Sequence, residues 1–155
     1  MARPAALSRT TWRGKTFTHR TVAMLRYVED KSGLRLTPAQ GSYNAGGVAA
    51  SGGTHDREAV DLSLQGYSTA DILNLDRWMK RAGFAGWYRP TVPGLWGRHY
   101  HALPIKGDLS PAAAAQVRSF DARRDGLRGD RVDNSFRPKV KRQWAYALGK
   151  PVPRI

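Results

Sequence analysis

The chain alternates short helical segments with still shorter strand-like segments, and this alternation most limits the folds it can adopt. Three segments carry apolar residues at the spacing of an amphipathic helix. Each follows a Ser or Thr that can cap the helix, and each is followed by a glycine that can end it. The predicted helices cover residues 19–31, 68–82 and 112–124. Helices this short must bury their apolar faces against other elements.

The strand-like segments alternate apolar with polar residues, which is typical of strands that bury one face. The clearest covers residues 59–64, in which Asp61 faces away from its apolar neighbours. Further strands are predicted over residues 34–37, 83–90 and 97–105. The order of elements predicts a small α+β domain with a mostly antiparallel sheet and its helices packed on one side.

The 155 residues are enough for one domain with a hydrophobic core. Residues 1–17 show no sustained period and are predicted to form an irregular N-terminal arm. The folded domain is predicted over residues 18–126, followed by a basic C-terminal extension over 127–155. Extended basic arms suit contacts with neighbouring subunits or with anionic polymers, although a charge run is also typical of a solvated surface.

Composition excludes several classes of protein and site. The chain has no cysteine, so disulfides, thiolate ligands and a cysteine nucleophile are excluded. A metal would have to be held by His, Asp or Glu. No run of about 18 apolar residues is present, so we expect no membrane insertion. The first residues lack the apolar core of a signal peptide, which predicts synthesis in the cytoplasm without a visible export signal.

The net charge of +14 predicts attraction to polyanions such as nucleic acid, acidic membrane surfaces or phosphate-containing wall polymers. Charge alone does not choose among them, and many soluble basic proteins have no such partner. No nucleic-acid-binding motif is recognisable, so nucleic acid is the partner we least expect.

The candidate chemistry lies in a few histidines. Of the four histidines, His99 and His101 are two residues apart, so on a strand both rings project from one face. Asp61 projects from the polar face of another strand. These residue types favour a metal site with His55, Asp61 and His101 as ligands, water in a fourth position and His99 beside the metal. His99 as the ligand and His101 behind it remains an alternative, as do ordinary strand histidines near a hydrogen-bonded acid.

Other candidate residues surround these histidines. Residues 40–55 are rich in Gly, Ala and Ser, and we interpret them as an ordered loop beside a site rather than a linker. The aromatic residues Trp87, Tyr88, Trp96 and Tyr100 could either line a substrate groove or pack in the core. Arg89 could bind a substrate carboxylate or be a surface arginine.

The run Ser51-Gly-Gly-Thr-His55-Asp-Arg-Glu-Ala-Val-Asp61, followed by His99-Tyr-His101, resembles the zinc peptidases that cleave peptidoglycan stem peptides. That family includes D-alanyl-D-alanine carboxypeptidases and the L-alanyl-D-glutamate peptidases of phage endolysins. The resemblance covers residues 34–107 and is greatest to the His-x-His branch of actinobacterial and actinobacteriophage members. It implies a small α+β fold, one Zn²⁺ and hydrolysis of an amide in the cell-wall peptide.

Three departures from the family pattern affect how its roles transfer. The spacing from His55 to Asp61 is one residue short, and Arg98 stands where many members carry a general-base acid. The resemblance therefore implies His99 as the proton-transfer residue, or Glu58 in its place. The family's upstream arginine also lacks a counterpart. The residues implied to bind substrate are Gln40, Ser42, Tyr43, Ser51 and Arg89.

The resemblance implies a zinc-dependent peptidoglycan hydrolase, an endolysin or virion-associated lysin of a bacteriophage. It would be made in the cytoplasm of the host and would act at the wall after release or as part of a virion. Its expected partners are peptidoglycan peptides and anionic wall polymers. The alternative is a structural virion or assembly protein, in contact with virion subunits, on a peptidase-like scaffold with reduced or lost catalysis.

Overall fold

A computed structural model of the chain describes residues 7–44 and 53–133. The strands are β1 (Arg9–Trp12), β2 (Lys15–Thr18), β3 (Pro38–Gln40), β4 (Val60–Ser63), β5 (Phe84–Arg89) and β6 (His99–Pro104). The helices are α1 (His19–Ser32), α2 (Thr69–Arg81) and α3 (Pro111–Asp121). Strands β1 and β2 form a hairpin, and the other four form an antiparallel sheet in the order β3-β4-β6-β5. Within the described ranges, no helix is long and apolar enough to cross a bilayer.

The α+β class and the antiparallel sheet are confirmed, and the three predicted helices begin at their predicted caps. The Thr18 side chain caps α1, and the Ser110 side chain caps α3. Ser68 and Asp71 form a reciprocal capping box at the start of α2. Each such cap stabilises its helix by about 1 kcal/mol. Helix α3 ends at Asp121, short of the predicted residue 124.

Alternation along the strands divides the apolar side chains between two cores, one on each face of the sheet. Helices α1 and α2 cover the first core, whose larger members include Leu25, Leu62, Leu75, Phe84 and Tyr100. Helix α3 covers the second core, formed by Ala59, Ala85, Trp87, Leu103, Ala113 and Phe120. The structure therefore differs from the prediction of helices on one side only. Strands β5 and β6 carry apolar residues on both faces, so both faces need cover.

The prediction of an irregular arm over residues 1–17 is wrong for residues 9–17, which lie in the β1–β2 hairpin. Arg13 and Gly14 form its two-residue turn, and both have positive φ, at 49° and 77°. Such a turn matches the twist of the strands it joins. Trp12 and Phe17 pack edge-to-face in the first core, with ring centroids 6.0 Å apart. The hairpin therefore belongs to the domain.

The strand predicted over residues 34–37 is also wrong. The strand begins where that segment ends, at Pro38, which takes the first position of edge strand β3. Leu36 is buried, but its backbone is bonded by side chains: its N–H donates to Glu29 Oε1 at 2.8 Å, and its carbonyl accepts from Arg13. The apolar alternation here reflects burial of a loop.

The Glu58 carboxylate is fully buried just before β4 and binds four groups. Oε1 accepts hydrogen bonds from the hydroxyls of Thr18 and Thr21. Oε2 pairs with the Arg20 guanidinium and accepts from the backbone N–H of Asp108 at 2.5 Å. One carboxylate thus joins the start of α1, the start of β4 and the loop before α3.

The first residues of the predicted C-terminal extension lie against the domain. Residues 127–133 turn back, and Val132 forms an antiparallel bridge with Arg124. The remainder of that extension, residues 134–155, and arm residues 1–6 lie outside the described residues.

We expect Glu58→Gln to lower the free energy of unfolding by about 3–5 kcal/mol, because it leaves the buried Arg20 charge without its counter-ion. Urea unfolding followed by far-UV circular dichroism would measure the change. The matched control is Arg57→Gln, which removes an exposed ion pair with Asp108 and should cost about 0–1 kcal/mol. Equal losses in the two variants would contradict the role given to Glu58.

Candidate metal centre

Strand register brings the candidate ligands into one row across the sheet. Asp61 on β4 pairs with His101 on β6 and with Gln40 on β3. His101 also pairs with Trp87 on β5. Directly paired residues of an antiparallel sheet point to the same face. Asp61 and His101 therefore meet on the face that α3 covers.

His55 reaches this row from outside the sheet, on a single 3-10 turn over Thr54–Asp56. Gly53, in the left-handed region at φ 81°, precedes the turn. The buried His55 ring places Nε2 3.3 Å from Asp61 Oδ1, and its Nδ1 donates to the Gly41 carbonyl at 2.7 Å. The short spacing between His55 and Asp61 is absorbed by the 3-10 turn, and Asp61 still faces His55.

His101 is held by one contact on each side of its ring. Its Nδ1 lies 2.7 Å from Asp61 Oδ1, and its Nε2 lies 2.8 Å from Gln116 Oε1 on α3. The amide nitrogen of Gln116 donates to the Gly126 carbonyl at 3.0 Å, which directs the amide oxygen towards His101. The Nε2–H group of His101 therefore donates to Gln116.

These contacts determine which nitrogens carry lone pairs. Because His55 Nδ1 and His101 Nε2 act as donors, the neutral rings present lone pairs on His55 Nε2 and His101 Nδ1. Both lone pairs point at the Asp61 carboxylate. Within the described residues, His55 Nε2 is a buried nitrogen without a hydrogen-bond partner. Acceptors that converge in this way require a cation between them, either a proton or a metal ion.

The surroundings of Asp61 favour its charged form, and the burial of His101 favours the neutral form of that ring. Burial opposes ionisation of Asp61, but His101 and His55 outweigh it through charge and hydrogen bonding, so the Asp61 pKa lies well below its usual range. Burial lowers the pKa of His101, although Asp61 acts in the opposite direction. An ionised carboxylate and unprotonated imidazoles are the forms that bind metals.

One ligand atom from each of His55, Asp61 and His101 lies within 4.8 Å of the others, so the three residues could hold a metal ion. The geometry brings together the ligand set favoured in the sequence analysis. Each histidine also donates its other N–H to an oxygen, as metal-bound histidines commonly do. The residues present therefore fit a metal ion.

His99 lies beside this group and is not part of it. Its Nε2 is 3.9 Å from Asp61 Oδ2, and its Nδ1 donates to the Gly97 carbonyl at 2.8 Å. The Nε2 lone pair of the neutral ring therefore lies on the side of Asp61. Trp96 packs edge-on against the ring, with centroids 6.1 Å apart. This arrangement favours the assignment with His101 as ligand over the alternative with His99.

An open pocket leads to the three candidate ligands. Its wall includes Gln40, Thr54, Arg89, Leu95, Trp96, His99, Gln116 and Leu127. Two of the predicted substrate residues, Gln40 and Arg89, therefore line this pocket. Leu95 and Leu127 are exposed apolar residues on the wall of this pocket.

The structure does not bring Ser42 and Tyr43, two of the predicted substrate residues, to the wall of the pocket; their side chains hold the fold. The buried Ser42 hydroxyl donates to the Ala59 carbonyl at 2.9 Å. The Tyr43 hydroxyl donates to Asp108 at 3.2 Å, and its ring lies under the Arg9 guanidinium. Ser51 lies outside the described residues.

The structure does not bring Glu58, the other predicted catalytic residue, to the pocket either. Its carboxylate is fully buried and committed to the four partners given above, away from the pocket. Arg98 serves the fold as well, since its guanidinium donates to the Leu64 carbonyl at 2.6 Å. Among the described residues that line the pocket, Asp61 is the only acid.

The aromatic residues near the histidines divide between the two roles considered. Trp87 is buried, stacks on His101 at 5.9 Å between centroids and donates from Nε1 to the Arg124 carbonyl. Tyr100 lies in the core on the opposite face. Trp96 alone of the four aromatic residues lines the pocket.

Sequence reasoning missed two residues that position the ligands. Gln116 orients His101, but the sequence does not distinguish it from a polar residue on the exposed face of a helix. Gly41 presents its carbonyl to His55 at a point where the chain passes close to the hairpin. A Cβ at Gly41 would lie 2.7 Å from the Thr16 carbonyl oxygen, so only glycine fits there. A glycine directly after a strand is the sequence feature that could have indicated this close approach.

Comparisons with known proteins give no match: neither a protein-family model, nor a curated protein, nor a solved structure matches this chain. The case for a function therefore rests on the geometry of the site and on the sequence resemblance.

We expect Gln116→Leu to lower metal affinity by about 10- to 100-fold, because His101 loses the acceptor that fixes its tautomer. Competition with a chromogenic chelator would measure the affinity. Gln116→Glu keeps an acceptor at the same place and should retain most of the affinity. Unchanged affinity in Gln116→Leu would show that this amide does not position the ligand.

Proposed function

We propose that this chain is a zinc-dependent peptidase that hydrolyses amide bonds in peptidoglycan stem peptides. The observation that carries the proposal is the convergence of two imidazole lone pairs and one carboxylate at the bottom of an open pocket. The resemblance around His55, Asp61 and His101 supplies the substrate class.

Zinc suits this donor set better than other common metals. Two imidazole nitrogens and one carboxylate form a frequent catalytic zinc set, which leaves a further position for water. Calcium and magnesium prefer sites built from oxygen ligands. The absence of thiolates excludes a structural site rich in cysteine.

A zinc ion held by these three residues would supply a water of lowered pKa and a Lewis acid for the substrate carbonyl. Hydrolysis of an amide adds water to the carbonyl carbon, breaks the C–N bond and delivers a proton to the departing amine. His99 is suited to move that proton, because the lone pair of its neutral ring is on Nε2, on the side of Asp61. Asp61 would serve as a ligand in its ionised form, which is the form of a carboxylate that binds metals.

The wall of the pocket is suited to a short peptide. Leu95, Trp96 and Leu127 offer apolar contact, whereas Gln40 and Arg89 offer polar contact. The net charge of +14 would favour retention on anionic wall polymers after release from the host or delivery in a virion. Activity at the wall is thus consistent with the charge of the chain.

A second candidate is a structural virion or assembly protein that keeps the scaffold with reduced catalysis. The observation that favours it is the commitment of Arg98 to the fold at the position where the family places an acid. Co-assembly with other particle proteins that persists in His101→Ala, without any hydrolysis by the unaltered protein, would favour this candidate.

We expect the purified protein to bind one zinc ion and to release new amino groups from purified peptidoglycan, with loss of both properties on chelation. His101→Ala should lower zinc affinity by more than about 100-fold, since removing a ligand exceeds the effect of losing an outer partner. His19→Ala removes the one exposed histidine outside the pocket and is the matched control. Zinc binding without hydrolysis of any wall type would refute the enzymatic proposal.

We also expect zinc affinity to fall as the pH is lowered, because protons compete for the ligand nitrogens. Burial lowers the pKa of His101, so at this ligand the competition begins only below the ordinary imidazole value of about 6.5. Affinity should therefore be nearly constant from pH 8 to about 7 and decline towards pH 5. Titration calorimetry in several buffers would show proton release on binding, and constant affinity down to pH 5 would contradict this expectation.

A further inference from the structure

The two oxygens of the Asp61 carboxylate lie close to different histidines. Oδ1 is 2.7 Å from His101 Nδ1 and 3.3 Å from His55 Nε2. Oδ2 is 3.9 Å from His99 Nε2, and no hydrogen bond within the described residues ends on it. The other two candidate ligands therefore converge on one oxygen of Asp61 and leave the second oxygen facing His99.

The His99 ring is held in one orientation by groups next to its own strand. Its Nδ1 donates to the Gly97 carbonyl at 2.8 Å, and Trp96 packs edge-on against it. Trp96 is itself fixed, because its Nε1 donates to the Pro90 carbonyl at 3.0 Å. The neutral ring therefore carries its lone pair on Nε2, which is the atom 3.9 Å from Asp61 Oδ2.

The separation of these two atoms suits an ion better than a hydrogen bond or a water molecule. An N–H···O hydrogen bond is about 2.7–3.2 Å long, and a water bonded to both atoms would hold them about 4.5 Å apart. Two zinc bonds, to nitrogen and to oxygen, add up to about 4.0–4.3 Å, so an ion bonded to both atoms fits with a bent angle. Both side chains are partly exposed and line the pocket, which gives an ion access to them.

The charges around this pair favour weak binding. Asp61 is the only acid among the described residues that line the pocket, and two ions would have to share it. Arg89 pairs with His99 across strands β5 and β6, so its positive charge opposes a cation there. The pair also offers one protein ligand fewer than the first site. We therefore expect an affinity more than about 100-fold below that of the first site.

We propose that Asp61 Oδ2 and His99 Nε2 form a second, weaker site for Zn²⁺, so that one carboxylate binds two ions. Imidazole nitrogen suits zinc and its transition-metal neighbours, whereas Mg²⁺ and Ca²⁺ prefer sites built from oxygen. The site itself goes beyond the proposed function, but its consequence rests on that function. His99 cannot take a proton at Nε2 while this atom binds a cation, so excess zinc should inhibit the hydrolysis that the first ion supports.

Zinc titration of the metal-free full chain tests the second site without reference to activity. Calorimetry should show two steps of one ion each, with the second more than about 100-fold weaker. The chain has only four histidines, so NMR of the ring nitrogens can assign the steps. The second step should shift the signals of His99 most. Mg²⁺ at the same concentration should give no second step.

Three variants separate this site from the first one and from other histidines. His99→Ala should lose the second step and keep the first, and the retained first step would show that the variant is folded. His19→Ala removes an exposed histidine outside the pocket and should keep both steps. Asp61→Asn should weaken both steps, because the same carboxylate binds both ions.

A single step up to millimolar zinc, or a second step that persists in His99→Ala, would overturn the inference. Hydrolysis of peptidoglycan without a second step would leave the proposed function standing and remove this site. Two steps without hydrolysis of any wall type would do the reverse. In an active protein, hydrolysis that is unchanged across the second step would refute both the inhibition and proton transfer by His99.

Discussion

The buried carboxylate of Glu58 is the interaction on which the rest of this structure depends. It lies between His55 and Asp61 in the chain and is held by groups from α1 and from the loop before α3. Because these bonds fix the chain just before β4, they determine which residues of β4 face each side of the sheet. A shift of one residue would turn Asp61 towards the opposite core. The same anchor therefore stabilises the fold and aims the carboxylate of the site, although Glu58 itself lies away from the pocket.

The candidate metal centre is assembled from elements that contribute differently to its rigidity. Asp61 and His101 are set by the ladder of the sheet, where side-chain direction follows from register. His55 depends on a short turn, and its orientation comes from the Gly41 carbonyl. The close approach of Gly41 to the hairpin explains why residues 9–17 matter for the site: the hairpin supports the strand end that orients a ligand. An arm without structure could not do this.

Helix capping and side-chain periodicity predicted the features that residues close together in the sequence determine. Helix starts followed from caps such as Thr18, and the shared face of His99 and His101 followed from the two-residue period of a strand. Contacts between distant segments could not be predicted in this way. Gln116 meets His101 only because α3 packs on the face opposite α1 and α2, a choice made by apolar residues on both faces of β5 and β6. Glu58 resembled a free acid because its partners are distributed over three segments.

The charges of the pocket follow from what surrounds each group. Asp61 is an anion between two imidazoles that present lone pairs, and this arrangement calls for a cation between them. Arg89 is a second cation that lacks a direct counter-ion among the described residues. Asp125, Asp133 and Asp61 act on Arg89 through charge and oppose the effect of burial, which lowers its pKa to about 10, so Arg89 remains a cation beside the candidate ligands. The three candidate ligands and Arg89 thus place opposite charges side by side in one pocket.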